Sequence, residues 1–196
     1  MNITPALLGQ LSGILAVIQA VPYIISILMK KTRPARASYA IWSVLQTISA
    51  ASYLASGATD TKWTPIVLAF SAVIIFSLSI KYGMGGFNKF DITCLSIAAI
   101  AIVLWLTTSN PAFAVYASLA ASSIAFLPVI KKSFLTPKTE NTLSWTLYAV
   151  AVLLNVCALT SWNPVIALPP VISLVLSGII ALLLLFQHRI PRKHSL

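Results

Sequence analysis

The chain has 196 residues, 59% of them apolar and 8% charged, against about 45–50% and about 25% in an ordinary soluble domain. That balance excludes a soluble globule. The 13 Lys and Arg against 3 Asp and Glu give a formal charge of +10, but at a mean hydropathy of +0.94 and a pI near 10.0 the basic excess is that of a membrane protein and not of a nucleic-acid binder.

A helix that crosses the hydrocarbon core needs about 20 mostly apolar residues. Seven stretches qualify in chain order: 6 to 29, 38 to 56, 64 to 80, 92 to 108, 111 to 130, 142 to 160 and 165 to 186. Between them lie charge, Gly or Pro, or the polar run Thr107-Thr108-Ser109-Asn110-Pro111, where backbone polar groups can reach water. The first connection carries Lys30, Lys31, Arg33 and Arg36, the third Lys81 and Lys89, the fifth Lys131, Lys132 and Lys138, and the tail Arg189, Arg192 and Lys193. The opposite face has Lys62 alone. By the positive-inside rule the N-terminus lies outside and the C-terminus in the cytoplasm of a multi-pass protein of the cell (inner) membrane. The start Met1-Asn2-Ile3-Thr4-Pro5 has no basic n-region, so the first span is expected to be retained, and its Asn2-Ile3-Thr4 sequon reads as chance.

The spans repeat. Pro5-Ala6, Ser12, Ile18 and Pro22 recur in the same order and spacing as Pro111-Ala112, Ser118, Ile124 and Pro128. A basic stretch follows in each copy, Lys30-Lys31-Thr32-Arg33-Pro34 and Lys131-Lys132-Ser133 with Pro137. Pro34 precedes Trp42 by the same interval as Pro137 precedes Trp145, and Trp63-Thr64-Pro65 and Trp162-Asn163-Pro164 open the third span of each copy. Spans 1 to 3 and 5 to 7 are therefore two repeats, with span 4 as the linker. One linking span makes the repeats parallel, which disfavours inverted-repeat carriers. The expected fold is an all-α membrane protein of seven transmembrane helices in a 3+1+3 plan: a first bundle over 1–83, a linker region with span 4 over 84–110, and a second bundle with a basic tail over 111–196.

On these residues the chain resembles the SWEET and PQ-loop (MtN3-like) superfamily of small-solute transporters, as a distant, bacterial-type member. The family's Pro-Gln motif stands here as Pro22-Tyr23 and Pro128-Val129, with the proline kept and the glutamine lost. Its basic turn is matched by Lys31-Thr32 to Ser38 and more loosely by Lys132-Ser133 to Ser144, without the glycine. The resemblance implies two three-helix bundles flanking a central pathway, with Pro22 and Pro128 as hinges for alternating access. Simple bending of the helices for packing is the competing explanation for both prolines. Pro169-Pro170 has no counterpart in span 3 and marks span 7 as the more distorted helix.

Polar side chains within spans are the default markers of a solute path. They are Gln10, Gln19, Gln46, Ser49, Ser52, Tyr53, Ser71, Tyr116, Tyr148, Asn155, Ser173 and Ser177. Asn155 is the sharpest, because it and Ser52 stand at one depth beyond the repeat tryptophans. Trp42, Leu45, Ser49 and Ser52, and in the second copy Trp145, Tyr148, Val152 and Asn155, keep the spacing of one helical face. The expected substrate-binding set is Asn155, Ser52, Trp42, Trp145, Ser49, Gln46 and Tyr53, since rings stack on apolar faces of a solute and amides pair with its hydroxyls. For the tryptophans the alternative is an aromatic belt at the interface, for the serines close helix packing.

Asp60, Asp91 and Glu140 are the only acids, and all three fall in connections or at a span end. With no carboxylate at mid-membrane, proton-driven transport is not expected, and Asp91 reads as helix capping. Cys94 and Cys157 lie in apolar stretches and signal no disulfide or metal site. His188 and His194 have no partners for a catalytic set, so no cofactor, metal or enzymatic activity is expected. Gly83-Met84-Gly85-Gly86 reads as a flexible connection, not a phosphate loop. The expected function is facilitated movement of a small neutral polar solute, sugar-like or similar. The partners are that solute and the lipid bilayer, with no nucleic acid, and a homo-oligomer is left open. The alternatives are a vitamin-precursor carrier of the nicotinamide riboside type, expected to be richer in paired tryptophans and of opposite sidedness, and a non-transporting receptor or scaffold of the same fold.

Overall fold

A computed structural model describes residues 4–55, 63–85, 88–107 and 111–187. Within them the chain is all-α, with seven long helices: α1 Pro5–Leu28, α2 Arg36–Ala55, α3 Trp63–Tyr82, α4 Lys89–Thr107, α5 Pro111–Leu135, α6 Thr142–Cys157 and α7 Pro164–Leu185. A single 3-10 turn, Pro137–Thr139, joins α5 to α6. The helix ends follow local chemistry. Thr4 caps α1 by accepting a hydrogen bond from the Leu7 amide, with Pro5 in the first turn, where its missing N–H costs nothing. Asn141 caps α6 in the same way through Ser144. Asn88 caps α4: its Oδ1 accepts from the Asp91 amide at 2.9 Å while its Nδ2 donates to Asp91 Oδ2 at 2.7 Å. Asp91 thus answers the cap from the third helical position and is not the cap itself.

The two copies leave their first helix differently. α1 stops at Leu28 and turns through Lys30, whose φ of 58° is left-handed. α5 instead runs on through Lys131 and Lys132 to Leu135, beyond the expected end at 130, until Thr136-Pro137 forbids another turn. Pro22 and Pro128 both lie inside their helices, and α7 is continuous through Pro169 and Pro170.

Packing is reciprocal. α3 lies against both α1 and α2, and α7 against both α5 and α6. Across the middle α1 packs on α6 and α2 on α5, while α4 sits against α5 and, more lightly, α2. The connections after α1, α3 and α5 meet at one end of the bundle, where the Arg33 amide donates to Thr139 O, the Met84 amide to Pro34 O and the Arg36 amide to Met84 O. Arg36 also reaches Ser79 O and Gly85 O with its guanidinium, and Lys131 stands 4.2 Å from the Phe90 ring centroid. The basic residues of these connections thus share one end. Lys62, Asp60 and the basic tail lie outside the described residues, as does the Asn2 sequon.

The segment at Gly83 is not a loose tether. A Cβ on Gly83 would stand 2.4 Å from Ser79 O and 2.7 Å from Pro34 O, and Gly85 has φ +73° with Asp91 Oδ2 2.4 Å from where its Cβ would be. These positions need glycine for close approach and for a left-handed turn. The expected flexible connection is, over its described part, bonded to the first loop.

Besides a buried core that includes Tyr23, Ile27, Phe126, Val129, Ile180 and Leu184, the outside of the bundle is itself apolar. On α1 the residues Ile14, Ile18, Val21, Ile25 and Leu28 form an outward stripe, each about half exposed, while Ser12, Ala16 and Ala20 face inward. Large apolar residues also cover the outside of α3 (Phe70, Val73, Ile74), α4 (Ile92, Ile97, Ile100) and α7 (Val175, Ile179, Leu182). Small side chains inside let helices approach closely, the packing used in lipid. Among the described residues, two helical segments, Pro5–Leu28 and Ala167–Leu185, are long and apolar enough to cross a membrane.

Candidate functional site

Where α1, α2, α5 and α6 meet, six rings form a continuous series. Tyr23 of α1 lies 5.7 Å from Tyr39, which meets Trp42 edge-on at 5.2 Å. Trp42 meets Phe126 of α5 at 4.9 Å and Trp145 of α6 at 6.3 Å, and Tyr148 stands 6.1 Å from Trp145. These separations are those of edge-to-face and tilted pairs, each worth about 0.5–1.5 kcal/mol beyond the area buried. All six rings line one cavity at the middle of the molecule, with Leu68, Ala72 and Ile75 of α3. Water centres can occupy about 130 Å³ of it. At about 30 Å³ for each water in the liquid, that space takes on the order of four or five waters or a small solute.

The polar groups on its wall are neutral: Gln19, Gln46, Ser71, Ser122, Ser144 and Ser173. Gln19 donates to Ala16 O at 3.2 Å. Ser144 is buried and its Oγ has no protein partner, which leaves it for whatever occupies the cavity. Rings on several sides with amides and hydroxyls between them suit an uncharged polar solute, because a bare charge among aromatic walls would lose its hydration without a counter-ion.

Toward the basic end a charged cluster stands behind two of the cavity's rings, Tyr23 and Trp145. Glu140, in the connection before α6, turns its side chain inward until none of it is exposed. Its Oε2 accepts from Tyr23 Oη and from Trp145 Nε1, both at 3.0 Å. Its Oε1 is ion-paired with Lys132 Nζ, which also donates to Arg33 O. Asn141 Nδ2 donates to Pro22 O at 3.2 Å. Two cavity rings therefore direct their polar atoms away from the cavity and into this cluster.

No family model, no curated protein and no solved structure matches the chain.

Of the residues expected at the site, Trp42, Trp145 and Gln46 are brought together on the cavity wall, along with Gln19, Ser71, Tyr148 and Ser173. Trp42 and Trp145 point into the molecule and not to an interface, whereas Trp162, beyond the opposite end, is 68% exposed. The side chains of Ser49, Ser52 and Tyr53 lie outside the described residues. Asn155 is not among the wall residues: α6 ends at Cys157, so Asn155 falls in its last turn, exposed and off the cavity wall. The shared helical face holds for Trp145, Tyr148 and Val152 and is lost one turn later. Gln10 and Tyr116 are also exposed, and Ser177 is buried off the cavity with its hydroxyl toward Leu174 O.

Sequence reasoning missed Tyr23, Tyr39, Phe126, Ser122 and Ser144 on the wall, and above all Glu140. Glu140 does lie in a connection, as expected, but a position between spans does not keep a side chain in water. Glu140 is buried at the basic end of the bundle, as Asp91 is in the first turn of α4. Two signals pointed to Glu140: acids are scarce in this chain, and Tyr23 replaces the glutamine of the resembled motif.

Proposed function

We propose that this protein is a membrane carrier of the SWEET-like plan, with α1 to α3 and α5 to α7 as two parallel three-helix repeats, α4 as their linker, and all seven helices spanning the bilayer. It moves a small neutral polar solute by alternating access and performs no chemistry on it. The observation that carries this reading is the cavity itself, lined from the corresponding helices of both repeats and backed toward the basic end by the Glu140 cluster. A path between two rocking halves needs that placement. The outward apolar stripes support a bilayer around the bundle, and the basic end is the cytoplasmic one by the positive-inside rule. Pro22 and Pro128, each inside the first helix of its repeat and each lacking a backbone donor, are the bends on which the halves move.

A second reading is favoured by one observation. The Trp42 and Trp145 pair, 6.3 Å between centroids, with the other four rings suits a solute that carries a flat ring, as a vitamin precursor of the nicotinamide riboside type does. The concentration of basic residues on one side counts against that family's sidedness.

The test begins with thermal-shift screening of the purified protein against sugars, amino acids and vitamin precursors, because a ligand of the folded state raises its stability. Radiolabelled hits are then followed into proteoliposomes. Saturable counterflow of a hit supports the carrier. Tight binding with no flux for any hit would replace it with a receptor of the same fold.

A further inference from the structure

We propose that a hollow at the basic end, between the turn after α1 and the last turn of α3, binds a phosphate-bearing anion, the headgroup of an anionic lipid in the cytoplasmic leaflet. The site rests on the reading of the bundle as bilayer-embedded with this end in the cytoplasm. Lys30 and Arg33 of the turn and Lys81 and Tyr82 of α3 line the hollow, and water centres can occupy about 140 Å³ of it. At about 30 Å³ for each water in the liquid, a phosphate group fits that space. Two ammonium groups, a guanidinium and a phenol hydroxyl bring donors from two elements to one place, the set that takes phosphate oxygens through charge-assisted hydrogen bonds. Among the described residues no carboxylate is ion-paired with these three cations: Glu140 is held by Lys132, and Asp91 is engaged by Asn88. Like charges gathered in one hollow repel, and an anion between them converts that repulsion into attraction.

Sidedness and the α3 dipole account for cations at this end, but not for their meeting in one hollow. The second repeat shows the difference. There Lys132 is buried against Glu140, Lys131 stands over the Phe90 ring, and the last turn of α7 carries no basic residue. The first repeat instead leaves its cations exposed on a fixed backbone. The Arg33 amide donates to Thr139 O and its carbonyl accepts from Lys132, while Lys30 holds its left-handed φ of 58° with its amide on Ile27 O. A preorganised backbone lowers the ordering cost of binding. The border of the hollow points to a lipid as the source of the phosphate. Leu28 and Met29 precede Lys30 and Ile80 precedes Lys81, and these three are 54%, 57% and 65% exposed. An apolar rim beside the donors is where acyl chains would lie along α1 and α3, and a free phosphate has no use for it. Basic pockets between spans on the cytoplasmic side take phospholipid headgroups in this way.

The experiment titrates phosphatidylglycerol into the full-length protein in detergent and reads the first bound lipid by native mass spectrometry, with phosphatidylcholine as the neutral control. Lys30→Gly with Lys81→Gln removes two cations of the hollow, and glycine suits the left-handed position. Arg33→Gln, which keeps both backbone bonds, is an independent variant. Lys89→Gln with Lys138→Gln removes two exposed cations of the same end that do not line the hollow. Wild type takes phosphatidylglycerol at least about tenfold more tightly than phosphatidylcholine. The Lys30 and Lys81 variant weakens it about twenty-five-fold, at about fivefold for each cation, Arg33→Gln about fivefold, and the Lys89 and Lys138 variant less than threefold. Inorganic phosphate and glycerol 3-phosphate form the second arm. If they raise the melting temperature of wild type but not of the hollow variants, and phosphatidylglycerol does not, the site stands with a soluble phosphate as its ligand. Equal losses in the hollow and control variants, or no preference for any of these anions in wild type with helicity intact, overturn the proposal. Hollow-dependent lipid binding in a protein that transports no hit would defeat the carrier reading and leave this site standing. Saturable flux with lipid binding indifferent to the hollow would do the reverse.

Discussion

Replacing Lys132 by Met isolates what the buried pair contributes to the fold. Lys132 is 4% exposed and the Glu140 side chain 0%, so water does not take over when the ammonium is gone. The substitution leaves a buried carboxylate with only the Tyr23 and Trp145 donors, a loss of about 3–5 kcal/mol for one member of such a pair. Loss of the Lys132 bond to Arg33 O adds about 1 kcal/mol. In Lys132→Met with Glu140→Gln the charge is absent, the amide still accepts from Tyr23 and Trp145, and the net loss is expected to fall to about 1 kcal/mol. The two substitutions are therefore strongly non-additive. The Lys132→Met deficit also shrinks as pH falls, because protonation neutralises the stranded carboxylate. Equilibrium unfolding in mixed detergent micelles, followed by tryptophan fluorescence, measures all of this. A Lys132→Met loss below about 1 kcal/mol, or a double variant that loses the sum of the singles, refutes the reasoning.

Further outcomes follow from other positions. Trp42→Ala or Trp145→Ala weakens binding of a screened ligand by about tenfold or more, about 1.4 kcal/mol, by calorimetric titration, while Asn155→Ala leaves it unchanged. Gly83→Ala forces a methyl against Ser79 O and Pro34 O and costs about 1–3 kcal/mol in the unfolding assay, since neither backbone oxygen can move away cheaply. Pro22→Ala and Pro128→Ala slow counterflow several-fold with ligand affinity within about twofold. Wild-type rates in both single variants would remove the hinges.

The helices were legible because apolar length and turn chemistry are local properties. The expected and observed ends differ by five residues at most, the largest difference being at α5, where Lys131 and Lys132 looked like a loop and proved to be a helical turn. Lys132 was misjudged for the same reason as Glu140: charge is a signal of water only until a partner from elsewhere in the chain arrives. Trp42 and Trp145 were found because repetition selects positions with equivalent surroundings. Asn155 shows the limit of that argument, since equal depth along two helices does not make two helix ends equally buried. Tyr39 and Phe126 carried no sequence signal beyond apolarity, because what makes them wall residues is the packing of α2 against α5.

That packing, with α1 on α6 and α2 on α5, has a bearing on how the molecule comes to exist. Each half lends its first helix to the other half's second, so the aromatic chamber belongs to neither. Synthesised as separate pieces, 1–83 and 84–196 would each present an unfinished wall with tyrosine and tryptophan rings uncovered. Each piece's missing surface is the other piece, or a second copy of itself. The chamber is complete only when both halves are in place.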